Sequence, residues 1–355
     1  MIDIKELMKI AVVKNASDIF IVVGVPPTLK IEGSLVPLDH DRLTPDETEQ
    51  IAMDLFKREE HYNEFLKYGD NDFSLSIKGI GRFRIGVYTQ RGSMSVTIRV
   101  LSFDQQDKLK VHKPKVVLDL HKETKGLIMV TGPASSGKST TVSQIVDLIN
   151  QNRSCHVITL EDPIEFLHRH KKSIVEQREI GIDAVSFSHA LKSTVRQAPD
   201  VVVIGELKDN ETIASALNAA ETGQLVISTL HTQGAVKTIE RLVDTFPEGQ
   251  QQQIRFQLSE NLNAIVTQQL LPSIESGRVP AFEIVKMNQK ISRIIRDNRI
   301  EELDELVSRS DTDDILGMDI SVAKLYLQGK IDRDVAEKFC FDRKILEWYL
   351  DEVVQ

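Results

Sequence analysis

The stretch GPASSGKST, from Gly132 to Thr140, has the residue types and spacing of a loop that holds nucleotide phosphates. Its glycines let the backbone turn tightly, so that N–H groups point toward the phosphates. Lys138 can reach the β- and γ-phosphates, and the hydroxyl of Ser139 is a ligand for Mg²⁺. The pattern therefore predicts binding of ATP and Mg²⁺ by the nine residues of the loop: Gly132, Pro133, Ala134, Ser135, Ser136, Gly137, Lys138, Ser139 and Thr140.

The segments on either side of the loop are those that a phosphate-binding loop requires. GLIMV, at 126–130, is a continuous apolar run that is typical of a strand buried on both faces. TTVSQIVDLIN, after the loop, predicts a helix with four apolar residues on one face: Val142, Ile145, Val146 and Ile149. The start of that helix adds a positive dipole end beside the phosphates.

Three further apolar runs end in polar side chains. VITLEDP leads to Glu161, VVVIGE ends at Glu206, and LVISTLH ends at His231. Ligands of open α/β sheets bind outside the carboxyl ends of parallel strands, so we expect these side chains near the loop. Glu206 is placed to hold Mg²⁺ through water or to polarise the attacking water.

Each of these three side chains has a structural role as its alternative. Glu206 could cap the helix that follows, although Asp209 serves that purpose better. Glu161 could lie at a solvated strand end. A lone histidine is more often structural than catalytic, so spacing alone leaves His231 open between a contact to the γ-phosphate, a signal to the next subunit and a structural role.

Composition excludes several classes of protein. Cys155 and Cys340 are the only cysteines among 355 residues, which excludes a disulfide framework and a four-cysteine zinc site. No apolar run approaches the length of a membrane span, so no direct membrane insertion is expected. The net charge of −9, without a dense basic run, weighs against a nucleic-acid partner. The N-terminus lacks an apolar signal core, so we expect a cytoplasmic protein.

The chain is predicted to have two domains. Residues 1–105 combine short alternating strands with a helix that Thr44, Pro45 and Glu47 begin as a capping box. Phe83 and Ile85 share one strand face, and QRGS forms the next hairpin turn. The polar stretch 106–115 is the predicted linker.

Residues 116–355 alternate strands and helices, which predicts a largely parallel sheet and an α/β fold. From about residue 235 the pattern predicts helices only, including one over GQQQQIRFQLSENLNAIVTQQLL. The last segment predicts two short amphipathic helices around QGKID.

Four ordered motifs together resemble the PilT-type ATPases, the type IV pilus retraction and twitching-motility motors of the secretion-ATPase superfamily. GPASSGKST resembles their Walker A loop, and TLEDPIEF (Thr159–Phe166) their Asp box. APDVVVIGELKDNETI resembles the Walker B segment, and STLHTQGAVKTIERLVDTFP the His box. The resemblance runs from about residue 5 to about residue 345.

The resemblance implies a small PAS-like α+β domain followed by a RecA-like P-loop ATPase domain with a helical C-terminal region. It implies catalytic roles for Glu206, Glu161 and His231. It also aligns GRFRIGVYTQRG and TIRVL with strands whose arginines face nucleotide, namely Arg84, Arg91 and Arg99; a solvated sheet face is the alternative for them. It further implies a homohexamer that binds ATP between its domains and rotates them, beside a platform protein at the inner face of the inner membrane.

Departures from the family pattern keep other functions open. Ala134 and Ser135 stand where Thr and Gly are usual, Lys208 where Arg is usual, and Ser292 where the C-terminal segment usually has its first arginine. The alternatives are an assembly or secretion ATPase of the same superfamily, a weakly hydrolysing nucleotide-binding modulator of a partner motor and, more remotely, a DNA-translocating ring. The chain lacks the tetracysteine segment that is frequent in secretion motors.

Overall fold

The computed structural model describes residues 3–31, 33–101, 113–275 and 277–354. They divide into two compact units, Met1–Gln106 with Glu165–Leu167, and Asp107–Ile164 with His168–Gln355. Most of the predicted linker, 106–112, lies outside the described residues. Within the described ranges, the helices are all too short or too polar to cross a membrane.

Within the described residues, the first unit contains a six-stranded antiparallel sheet and three helices. The strand order is β3-β2-β1-β6-β5-β4. The strands are β1 (Asp18–Ile21), β2 (Thr28–Ile31), β3 (Ser34–Pro37), β4 (Asp70–Ile77), β5 (Gly81–Gln90) and β6 (Ser93–Leu101). The helices are α1 (Ile4–Val13), α2 (Pro45–Leu55) and α3 (Glu59–Tyr68).

Local sequence explains these elements. Alternate residues of β5 are buried, with Phe83 and Ile85 in the core and the arginines between them on the wetter face, as predicted. The predicted capping box is confirmed, because Glu47 N donates to Thr44 Oγ1 at 3.3 Å and Thr44 N donates to Glu47 Oε2 at 2.8 Å. The turn between β5 and β6 has the positive φ angles that suit a tight hairpin.

The second unit is built on an eight-stranded sheet, in the order β14-β13-β12-β7-β11-β10-β8-β9. All neighbours from β12 to β9 are parallel, and β13 and β14 add an antiparallel edge. The strands are β7 (Gly126–Thr131), β8 (His156–Glu161), β9 (Ile174–Glu179), β10 (Val201–Ile204), β11 (Leu225–Leu230), β12 (Leu262–Pro272), β13 (Arg278–Lys286) and β14 (Ile315–Leu316).

Helices cover this sheet and bury both of its faces. Successive residues of β7 belong to different cores, Leu127 and Met129 to one and Ile128 and Val130 to the other. The helices are α4 (Lys115–Asp119), α5 (Lys138–Asn152), α6 (Phe187–Thr194), α7 (Asn210–Glu221), α8 (Ala235–Asp244), α9 (Glu248–Asn261), α10 (Gln289–Arg296), α11 (Ile300–Ser308), α12 (Met318–Leu327), α13 (Arg333–Phe339) and α14 (Arg343–Val354). The predicted fold class, a small α+β unit and a P-loop unit with a largely parallel sheet, is confirmed.

Two predictions for the C-terminal region are wrong. The single helix over 249–271 ends at Asn261, and the chain continues as β12, which pairs with the strand before the loop. Its partner β13 was also missed. The last segment forms three helices, because the chain bends again at 340–342 and begins α14.

Candidate nucleotide-binding and catalytic site

The strands that carry the predicted site residues are neighbours in the sheet. In the order β7-β11-β10-β8, each strand pairs in parallel with the next. Leu230 lies opposite Thr131, so Gly132 and His231 leave the sheet side by side. Ile204 lies opposite Leu160, so the chains that lead to Glu206 and Glu161 also leave at this edge. The fold therefore brings the loop and all three strand ends together.

The glycines of the loop are required by its geometry. Gly132 and Gly137 have φ of +131° and +89°, which other residues adopt only with strain. A Cβ on Gly132 would lie 2.1 Å from the carbonyl oxygen of Gln268, and one on Gly137 would lie 2.7 Å from Gln268 Nε2. Ser135 is also left-handed, with φ of 61°, at one of the positions where the sequence departs from the family pattern. That conformation costs a non-glycine residue roughly 1 kcal/mol.

Lys138 lies inside the loop and is largely buried. Its ammonium donates to the carbonyl oxygens of Gly132 at 2.8 Å and Pro133 at 2.9 Å, and to His231 Nδ1 at 3.2 Å. These three acceptors are neutral. Because a hydrogen bond to an anion is roughly twice as strong as one to a neutral group, phosphate oxygens are stronger partners for this ammonium.

His231 connects the loop lysine to the acidic strand end. An ammonium only donates hydrogen bonds, so His231 Nδ1 must accept, which places the ring hydrogen on Nε2. That atom faces Glu206 Oε1 at 3.6 Å. The side chain of His231 remains 56% exposed, so a ligand at this edge can reach it.

Glu206 has Lys208 and His231 as its charged and polar neighbours, and its side chain is 22% exposed. Lys208 Nζ is 3.4 Å from Oε2, whereas His231 faces the other carboxylate oxygen, Oε1. The structural alternative for Glu206 does not hold, because Asp209 caps α7 by accepting from Thr212 N at 2.8 Å. Glu206 is thus available for chemistry at the strand edge rather than used as a helix cap.

Glu161 is anchored at the end of β8 by its neighbours. Its Oε1 accepts from Thr159 Oγ1 at 2.6 Å and from Gln177 Nε2, on β9, at 3.1 Å. Gln177 in turn accepts from His168 N at 2.8 Å. These bonds hold the carboxylate in one orientation at the edge where the phosphates are expected.

The loop also has one buried polar group that suits a phosphate. The hydroxyl of Ser136 is buried, with 3% of the residue exposed, and it has no hydrogen-bond partner within the described part of the chain. Ser139 and Thr140 lie half-buried on the first turn of α5. Among the described residues, no group of three His, Cys, Asp or Glu could hold a metal alone. A Mg²⁺ ion here would take its remaining ligands from phosphate and water, as is usual for this ion.

Two of the three predicted arginines are neighbours on the sheet of the first unit. Arg84 and Arg99 lie directly opposite each other on β5 and β6. Each is near a carboxylate of the same sheet: Arg99 Nε donates to Asp18 Oδ1 at 3.1 Å, and Arg84 Nη2 is 3.7 Å from Asp72 Oδ2. Two like charges directly opposite each other destabilise a strand pair, so the two carboxylates reduce the repulsion between Arg84 and Arg99.

Arg91 is not close to the other two. It occupies the exposed hairpin turn with φ of 50°, seven positions beyond Arg84, or roughly 20 Å at about 3.3 Å per residue. The structure therefore groups Arg84 with Arg99 and separates Arg91 from them.

Sequence reasoning missed Gln268, which donates to the Ser136 carbonyl oxygen of the loop, and Thr141, which donates to Gln268. It also missed the ion pair of Lys208 with Glu206. The role of Gln268 does not follow from the sequence, because the pattern of its segment predicts a helix. A strand signal was present in the run Ile265–Thr267, which is β-branched throughout, and in Pro272 at its end.

Comparison with known proteins agrees with this geometry. The family model "Type II/IV secretion system protein" matches residues 1–317. The chain is 35% identical over 330 residues to the type IV pilus ATPase PilU of Pseudomonas aeruginosa, covering 93% of this chain and 86% of that protein. It is 34% identical over 338 residues to the retraction ATPase PilT of the same organism, covering 95% and 97%.

Among solved structures, the pilus retraction motor PilT with bound ADP superposes with a TM-score of 0.89 at 43% identity, covering 98% of this chain and 100% of that chain. These similarities extend over both units. The chain belongs to the type II/IV secretion system protein family and resembles its PilT-type members.

Proposed function

We propose that this protein is an ATP-hydrolysing motor that powers type IV pilus retraction and thus twitching motility. The observation that carries the proposal is the contact series Lys138, His231 and Glu206 at the carboxyl edge of a parallel sheet, beside a phosphate-binding loop. The named relatives PilT and PilU, matched over more than nine-tenths of the chain, support the pilus as the machine concerned.

Each residue of the series has a part in this reaction. Lys138 binds the β- and γ-phosphates and neutralises charge that develops between them. Glu206 accepts a proton from the attacking water. His231 accepts from Lys138 through Nδ1 and faces Glu206 with Nε2, so it links the phosphate-binding lysine to the catalytic carboxylate. Glu161, fixed by Thr159 and Gln177, holds a second negative charge at the same edge of the sheet.

Ser139 would hold Mg²⁺ together with the phosphates, and Glu161 or Glu206 would contact its water shell. Bound Mg²⁺ would neutralise phosphate charge and fix the phosphate geometry. Turnover is expected to stop with EDTA and to return when Mg²⁺ is added in excess. Unchanged turnover in EDTA would contradict this metal dependence.

The working form that we propose is a homohexamer, in which nucleotide-driven rotation of the domains moves a partner. The partner is the platform protein of the pilus machine in the inner membrane, so the motor works in the cytoplasm at the inner face of that membrane. Nucleic acid is not expected to stimulate it, given the net charge of −9.

A second candidate is a nucleotide-binding modulator that hydrolyses ATP weakly. The observation in its favour is Ser135, a non-glycine residue held in a left-handed conformation within the phosphate-binding loop. ATP turnover measured at a fixed oligomer size separates the two functions. Substitution Ser135→Gly would raise turnover if this strain limits the reaction.

The test of the proposed function is a deletion strain, scored for surface pili and for pilus shortening under an optical trap. Surface pili in excess that never shorten are the expected result, and missing pili would contradict retraction and indicate assembly. Complementation with the wild-type chain should restore shortening, and the matched variant Lys138→Ala should not, because it loses the main phosphate contact.

A further inference from the structure

Gln268 lies beneath the phosphate-binding loop, on a strand that begins more than 120 residues after it. Its neighbour Thr267 pairs with Thr131, the last residue of β7, and their hydroxyls are 2.8 Å apart. Gln268 therefore stands one step beyond the end of β7, where the loop begins. Only 3% of the residue is exposed.

Both ends of the Gln268 carboxamide bind the loop and its helix. Nε2 donates to the carbonyl oxygen of Ser136 at 2.7 Å, and Oε1 accepts from Thr141 Oγ1 at 2.6 Å. The Ser136 carbonyl precedes the helical ladder of α5, which starts with Thr141 N donating to Gly137 O at 3.0 Å. The carboxamide thus gives a partner to a loop carbonyl that the first α5 bond does not use.

Gln268 also lies close to both glycines of the loop. Gly132 approaches its carbonyl oxygen so closely that a Cβ would be 2.1 Å away, and Gly137 approaches its Nε2. One residue of β12 is therefore in contact with the first glycine, the last glycine and the first helical turn. A loop fixed at these three places loses less freedom when phosphate binds.

We propose that Gln268 is a positioning residue that holds the phosphate-binding loop in its binding conformation. The inference rests on the proposed function, since it assumes that the loop binds nucleotide. Gln268 acts through Ser136, Gly137 and Thr141. Because the loop holds the phosphates in the ground state and in the transition state alike, losing this support should raise KM for ATP more than it lowers kcat.

The next residue along the strand provides a matched control. Gln269 has the same side chain, is similarly buried at 7% exposure, and donates from Nε2 to the carbonyl oxygen of Phe339 at 3.3 Å. Strand alternation directs it away from the loop. Substitution Gln269→Leu removes a buried glutamine from the same strand and leaves the loop contacts in place.

The experiment measures binding of a fluorescent ADP derivative and steady-state ATP turnover for the wild type, Gln268→Leu, Gln269→Leu and Lys138→Ala. Gln268→Leu should weaken ADP binding roughly tenfold or more, because two buried hydrogen bonds are lost, and should raise KM by a similar factor. Gln269→Leu should bind like the wild type. Equal affinities for Gln268→Leu and Gln269→Leu would overturn the inference.

Two further variants keep the test decisive. If Gln268→Leu does not fold, Thr141→Val removes one of the same bonds with almost no change in volume and should weaken binding several-fold. Gln268→Glu would set a carboxylate against the Ser136 carbonyl, and protonating it restores a donor. Its ADP affinity relative to the wild type should therefore recover as the pH falls, and a pH-independent ratio would contradict the positioning role.

Failure of the inference and failure of the proposed function give different results. If the wild type binds no more ADP than Lys138→Ala, the proposed function is overturned and the inference with it. If the wild type binds and hydrolyses nucleotide while Gln268→Leu and Thr141→Val match it, the inference alone is overturned.

Discussion

The residues that could bind or react with a ligand are held differently in the two units of the molecule. In the second unit, Lys138 lies at the start of α5, and His231 and Glu206 follow the ends of β11 and β10. Lys138 donates to His231, whose Nε2 faces Glu206. In the first unit, Arg84 and Arg99 are neighbours, but each is near a carboxylate of its own sheet. One group is a connected site, and the other is a pair of charges neutralised locally.

This difference indicates how each of the two sets of residues is prepared to act on a ligand. The hydrogen bond from Lys138 to His231, and the approach of His231 to Glu206, orient these side chains before any ligand arrives, which is what a reaction centre needs. The Arg84–Asp72 pair is exposed on both sides, and such pairs contribute about 0–1 kcal/mol, so a phosphate can take Arg84 from Asp72 at small cost. Arg99 is held more firmly, because the Asp18 side chain is only 10% exposed and would be left buried without its cation.

The largest effect is expected from a substitution of Glu206, the carboxylate of the Lys138, His231 and Glu206 series. Glu206→Gln keeps the shape of the side chain but removes the base, so turnover should fall roughly 10²–10⁴-fold while ATP binding persists. Steady-state ATPase rates and nucleotide affinity, measured on the same preparation, test this. Near-normal turnover would show that Glu206 is not the catalytic carboxylate.

An intermediate effect is expected in the first unit. If the arginines contact phosphate, Arg99→Ala should lower kcat/KM roughly 10- to 100-fold, since it removes a charge-assisted contact. Arg91→Ala is the matched control, because it removes the same charge from the hairpin turn, roughly 20 Å along the strand. The same small loss for both variants would assign these arginines to a solvated sheet face.

The smallest effect on turnover is expected at the support of α8, the helix that follows His231. Glu283 Oε1 accepts from Ala235 N, and burial, with Asp319 and Asp304 adding to it, raises the pKa of Glu283 from 4.5 to about 7. The folded state then keeps a proton that the unfolded state has released, so stability falls as pH rises from about 4.5 to 7.

Glu283→Gln removes this dependence and should change turnover little. Its stability advantage over the wild type should grow through that pH window, to at most about 3 kcal/mol above pH 7. Urea unfolding followed by Trp348, the only tryptophan, measures it. The same pH slope in both proteins would refute the buried charge as its cause.

The sequence predicted the parts of the site that short patterns encode. The loop, its strand and helix, and the three polar strand ends are each recognisable from about ten residues of sequence. The parallel direction of the strands follows from their alternation with helices. The connection of Lys138 to His231 and Glu206 was not readable, because distances between strand ends depend on strand order and register.

The remaining misses share one physical cause. The segment 262–271 has apolar and glutamine residues that suit a helix as well as a strand, and only its pairing with β7 decides between them. Gln268 acquires its place beneath the loop through that pairing. Register also places Arg84 opposite Arg99 and leaves Arg91 at the hairpin turn, an arrangement that the sequence pattern does not reveal.

The most direct test of the central claim, that Lys138, His231 and Glu206 act as one unit, is a double-mutant cycle on ATP turnover with Lys138→Ala as the blank. His231→Ala alone should cost roughly tenfold or more, and Glu206→Gln more. In a connected unit the two losses are strongly non-additive, so the double variant should be about as active as Glu206→Gln alone. Losses that multiply would show that the two residues act independently and would contradict the account.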